Sequence, residues 1–99
     1  MIELNWDKYK EHLLKAERLA VKKNHDYGNE SLKEFGVGGC FIRIKDKLNR
    51  VSNLLNSEIN PLVDETIEDS CLDIINYFIY LNMIHTKELL IKINKNENQ

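Results

Sequence analysis

At 99 residues, with 42% hydrophobic and 30% charged residues and a net charge of −2, the chain has the size and balance of one soluble globular domain. The near-neutral charge gives no bulk electrostatic reason to bind nucleic acid or an anionic membrane. No apolar run approaches the roughly 20 residues that span a bilayer, and no signal-peptide pattern is present, so a cytoplasmic setting is expected.

The first helix is expected from about Asn5 to Asn24. Trp6, Tyr9, Leu13, Ala16 and Ala20 recur at helical spacing and predict its buried stripe. Asn5 suits the N-cap, with Asp7 and Glu11 near the positive end of the dipole. Lys22, Lys23 and His25 gather at the other end, and Gly28 stops the segment. A connector follows from Asn29 to Gly39. Within it Ser31 to Glu34 has the capping-box pattern, so a single helical turn to Phe35 is expected before Gly36-Val-Gly38-Gly39 breaks it.

The second helix is expected from Gly39 or Cys40 to about Asn56. Ile44, Leu48, Val51 and Leu55 form its core stripe, flanked by Arg43, Lys47 and Arg50, while Asp46 points largely the other way. Pro61 suits the first turn of a third helix, which extends toward Ile93 with a bend near His85-Thr-Lys. On this helix Ile67, Cys71, Ile74, Phe78 and Leu81 read as core, and His85 falls on the same stripe. Cys40 and Cys71 have neither metal spacing nor a disulfide framework, and Cys71 reads as a small packing residue in a reducing compartment. No strand is expected. The reading is all-α: one domain over residues 1–93 with a polar tail, 94–99.

Between Leu72 and Ile84 the third helix is apolar nearly all round. Leu72, Ile75, Ile79 and Met83 lie away from the stripe led by Ile67, and three helices cannot cover both sets. A small bundle of three main helices completed by homo-oligomerisation, a homodimer or higher even oligomer through the third helix, is therefore expected. The acidic ladder is placed close to the subunit boundary, with Tyr27 or Arg43 reaching the neighbour's Asp73.

That ladder is the chain's strongest chemical signal. Glu65, Asp69 and Asp73 stand four apart on one side of the helix, and Asn76 and Tyr80 continue it. Like charges at this spacing repel by about 0.2–0.5 kcal/mol, and no cation lies between Glu65 and Tyr80 to offset them. An acidic first turn favoured by the dipole explains Asp64, Glu65 and Glu68 but not Asp73. The ladder therefore points to a cation, either a metal such as Mg²⁺ or basic side chains of a neighbouring helix.

Arg43, Lys47 and Arg50 meet the second description, and two readings stay open. They neutralise the ladder, or they hold phosphate oxygens beside a metal bound by it. Lys23-Asn-His25-Asp26-Tyr27-Gly28 also reads two ways. It is a basic helix end with a glycine stop, or a nucleotide contact in which Tyr27 stacks on a base and Lys23 reaches phosphate. The glycine-rich stretch lacks the Lys-Ser/Thr of a P-loop and reads as a connector. His12 is isolated.

Lys23-Asn-His25-Asp26-Tyr27-Gly28, Lys47-Leu-Asn-Arg50, and Glu65 with Leu72-Asp73-Ile-Ile-Asn76-Tyr77 resemble the small phage and bacterial family called nucleotide modification-associated domain, over roughly residues 20 to 84. The resemblance implies an all-α protein encoded largely in phages near genes for modified-base synthesis. It marks Lys23, Asp26, Tyr27, Lys47, Arg50, Glu65, Asp73 and Asn76. Asp69-x-x-x-Asp73 with Tyr77 is more distantly similar to one metal-binding element of MazG-like nucleoside triphosphate pyrophosphatases. Their other acidic pair is replaced here by Asp46, Asn49 and the cations Lys47 and Arg50.

The expected function is nucleotide handling. A nucleoside phosphate is bound by Lys23, Asp26, Tyr27, Arg43, Lys47, Arg50 and Asn76, with Mg²⁺ on Glu65, Asp69 and Asp73, and its phosphoanhydride is open to hydrolysis. The alternatives are a non-catalytic protein that sequesters a cyclic or signalling nucleotide, and a structural or adaptor bundle whose charges only pair with one another.

Overall fold

The computed structural model describes residues 1–56 and 63–93, without the side chains of residues 30–33, 35 and 63–66. Among the described residues there are three helices and no strand: α1 Trp6–Tyr27, α2 Asn29–Leu55 and α3 Val63–His85. Pro61 and the tail 94–99 lie outside the described residues.

Helix α1 starts where its cap chemistry places it. The Asn5 side chain accepts a hydrogen bond from the Lys8 backbone N–H at 3.1 Å, satisfying one of the orphan donors of the first turn. At the other end the Gly28 N–H donates to the Asn24 carbonyl at 2.8 Å. Gly28 then turns the chain at φ 80°, ψ 167°, a conformation open essentially to glycine alone.

The expected connector is helical. Residues 29–39 belong to α2, and only Gly36 departs from helical geometry, at φ 54°, ψ −176°. The turn begun at Asn29 therefore ends in a kink rather than a loop. Gly38 and Gly39 continue the helix, although each costs about 1 kcal/mol of propensity relative to alanine.

Helix α3 ends at His85, short of Ile93. Lys87 takes a positive φ of 60° and its N–H donates to the Ile84 carbonyl, while the Glu88 N–H donates to the Met83 carbonyl at 2.8 Å. These two bonds form a Schellman stop.

Helix α3 packs most extensively against α2, less against α1, while α1 and α2 meet only slightly. The arrangement is a floor, α3, with two walls. Among the described residues the buried hydrophobic ones are few: Ala16, Cys40, Ile44 and Leu72. Several expected core positions are exposed instead. They are Trp6, Tyr9 and Leu13 on α1, Leu48 and Leu55 on α2, and Cys71, Phe78 and His85 on α3. The reason is the number of neighbours. Each apolar stripe is wide, and a three-helix chain covers only the part that faces the adjoining helix.

Candidate functional site

The open side of the floor is a cleft of about 830 Å³, a volume suited to a small ligand. Helix α1 contributes Ala20, Lys23, Asn24 and Tyr27, spaced by three or four residues as one helix face must be, with Gly28 at its end. Helix α2 contributes Glu34, Gly39, Ile42, Arg43, Asp46 and Lys47, and α3 contributes Asp73, Asn76, Tyr77 and Tyr80.

At the centre sits Asp73, only 6% exposed. Lys23 Nζ lies 2.6 Å from its Oδ1 and Lys47 Nζ 3.0 Å from its Oδ2. One carboxylate therefore ties both walls to the floor, and it is stabilised because each oxygen has its own cation. For Lys23, burial pulls the ammonium pKa down. The hydrogen bond and charge of Asp73 outweigh burial and hold the pKa above the ordinary lysine value.

One turn along, Asn76 is 7% exposed and its Nδ2 donates to the Ala16 carbonyl at 2.9 Å. That bond clamps α1 against α3 where the small Ala16 and Ala20 let the helices approach. Tyr80, a turn further along the floor, is half-buried, and its phenol pKa is pushed up by burial first and then by the nearby Tyr77 and Asp73. The Asn24 Oδ1 is buried with no hydrogen-bond partner in the protein. On the rim of α3, Lys15 pairs with Glu68 at 3.0 Å, and both are substantially exposed.

Of the residues singled out from the sequence, the structure brings Lys23, Tyr27, Arg43, Lys47, Asp73 and Asn76 into this one cleft. Asp26, Arg50 and Asp69 are exposed and do not line it. The Glu65 side chain lies outside the described residues. Asp46, read as pointing away, lines the cleft beside Arg43 and Lys47, because it stands three residues after Arg43 and so shares its side of the helix. Asn24, Glu34 and Tyr77 were not singled out as ligand residues. Asn24 carried a usable signal, since it lies inside the Lys23–Gly28 motif four residues after Ala20.

The ladder is thus divided. Asp73 is buried between two lysines, whereas Asp69, one turn earlier, faces solvent. Among the described residues no group of three or more His, Cys, Asp or Glu side chains converges to hold a metal ion. Of the Glu65–Asp69–Asp73 set, Asp73 is engaged by Lys23 and Lys47, Asp69 is exposed, and the Glu65 side chain is outside the described residues. No described helix is long and apolar enough to cross a membrane.

Comparison with known proteins gives one match. No curated protein and no solved structure is similar enough to report. The model of the family described as nucleotide modification associated domain 1 matches residues 23–85, from the lysine that clasps Asp73 to the last residue of α3. More than half of the chain is covered, and the chain belongs to that family.

Proposed function

We propose that the cleft binds a nucleoside phosphate and holds it without a resident metal. The observation that carries this reading is the clasp: a buried carboxylate fixes one ammonium from each wall inside a cleft that also presents Tyr27, Tyr77 and Tyr80. Lys23 and Lys47 are oriented by Asp73 but stay about a third exposed, so phosphate oxygens can share their remaining N–H donors. Arg43 on the same wall as Lys47 adds a planar fork for phosphate. The tyrosines supply faces on which a base can stack.

The buried Asn24 oxygen is costly while unpaired, on the order of 1–3 kcal/mol, and suits a base that presents an amino N–H. Glu34 and Asp46 accept hydrogen bonds only, which suits sugar hydroxyls or Mg²⁺ arriving on the phosphates. With both Asp73 oxygens engaged by lysines, binding is favoured over hydrolysis.

A thermal-shift panel of nucleoside mono-, di- and triphosphates, with and without Mg²⁺, tests the reading. A ligand at about 100 times its Kd should stabilise the fold by roughly 2.7 kcal/mol. Lys47→Ala should remove that response. No response to any nucleotide would leave the adaptor reading, in which Lys47→Ala lowers stability and there is no ligand effect to lose. Chromatography of the nucleotide afterwards separates binding from turnover: unchanged nucleotide supports the proposal, and Mg²⁺-dependent phosphate or pyrophosphate release replaces it with the hydrolase.

A further inference from the structure

The face of the molecule opposite the cleft is the least explained part of the structure. On α2, Val37, Phe41, Ile44, Leu48, Val51 and Leu55 alternate four and three residues apart; on α3, Ile67, Cys71, Ile74, Phe78 and Leu81 do the same. This is the 3.5-residue spacing of helices that pack along one another. Ile44 is buried, but Phe41 is 56% exposed, Leu48 51%, Leu55 67% and Phe78 49%.

Helix geometry puts these exposed positions on the side away from the cleft. Phe41 and Leu48 are each two residues from a cleft residue, Arg43 and Asp46, and so are Cys71 from Asp73 and Phe78 from Asn76 and Tyr80. At roughly 100° per residue, two residues is about 200° round the helix.

We propose that a second copy of this chain docks on this back face, pairing the two seams of α2 and α3 with their counterparts, so that each cleft opens outward from a homodimer. The exposed area supports a second copy. Val37, Phe41, Leu48, Leu55 and Phe78 are 45–67% exposed on this one face, which leaves on the order of 500 Å² of apolar side chain uncovered. That is on the scale of the roughly 800 Å² that each partner gives to a standard-size interface. Two seams per copy fit two seams on an identical partner, an isologous contact. A lipid surface fits less well, because Arg43 and Lys47 line the opposite side, in the cleft.

This placement differs from the boundary expected from the sequence. The acidic side of α3 turns away from the partner, and each cleft is built from one chain. The proposal does not depend on what fills the cleft.

Light scattering on the full chain, with no nucleotide present, should return twice 11.7 kDa. Phe78→Glu and Phe41→Glu should each return the monomer with helical circular dichroism retained, whereas Leu13→Glu on α1 should leave the dimer intact. Cys71 provides a reading that needs no variant. Its thiol, exposed in one chain, should label with a maleimide about tenfold faster after dilution below the dimer's Kd, with buried Cys40 as the internal control. A wild-type monomer whose Cys71 labels at one rate at every concentration would overturn the proposal. So would a dimer dissociated by Leu13→Glu but not by Phe78→Glu, or labelling of Cys71 at full speed within the dimer.

Discussion

The two sides of α3 invert the usual relation between polarity and burial. Ser70, Asp73 and Asn76 are buried, at 2%, 6% and 7% exposure, while Phe78 and Ile79, a turn away, are nearly half exposed and Cys71 is exposed outright. The polar side is inside because it has partners: two ammoniums on Asp73 and the Ala16 carbonyl on Asn76. The apolar side is outside because a three-helix chain has no fourth element to lay on it. Asp73 and Asn76 are buried where their hydrogen bonds are satisfied, and among the large apolar side chains of this helix Leu72 is buried while Phe78 and Ile79 are left out.

The largest effect should come from removing the partners of the buried carboxylate. Lys23→Met with Lys47→Met leaves Asp73 without either cation and should cost about 3–5 kcal/mol in urea denaturation. Adding Asp73→Leu to the pair should recover much of that loss, because no charge is then stranded. A double variant as stable as wild type would show that Asp73 is not held by this clasp.

Asn76→Ala removes the bond to the Ala16 carbonyl, which keeps only its partner within α1, for a loss of about 0.5–1.5 kcal/mol. The same experiment on the other side of the helix is its counterpart. Phe78→Ser, measured where the chain is monomeric, should shift stability by no more than about 0.5 kcal/mol. Equal losses at the two positions would erase the contrast between the faces.

Alkaline titration reads the buried side directly. Burial holds the Cys40 thiol and the Tyr80 phenol above their ordinary values, and Asp73 holds Lys23 above the ordinary lysine value. Each group binds its proton more tightly folded than unfolded. Its stabilisation is therefore complete below the unfolded value and is lost as pH rises through the folded one. The melting temperature should fall progressively from about pH 9 upward, and Cys40→Ala should delay the onset. A melting temperature unchanged to pH 11 would contradict the sign.

The smallest effect belongs to the rim. Lys15→Ala breaks the bridge to Glu68 between substantially exposed partners and should cost about 0–1 kcal/mol, less at high salt.

Local structure was legible where local chemistry decides it. The Asn5 cap, the stop at Gly28 and the break near Gly36 are properties of a few neighbouring residues, and the structure places each there, while the expected bend at His85-Thr-Lys is a full stop. The extent of α2 before Gly39 was not, because two of its three glycines remain helical and spacing alone does not say which one turns. For the cleft, the cations Lys23 and Lys47 and the acid Asp73 were visible as separate signals on three helices.

What the sequence determined by itself is which residues share a helix side, because 3.6 residues per turn is a property of the backbone. It placed Asp73, Asn76 and Tyr80 together and Cys71, Ile74 and Phe78 together. Which of these sides turns inward was decided only by the tertiary structure. The choice rests on a lysine 50 residues before Asp73, another on α2, and a backbone carbonyl 60 residues before Asn76. Periodicity carries no information about such distant partners, and they make the polar side of α3 the one that the fold can bury.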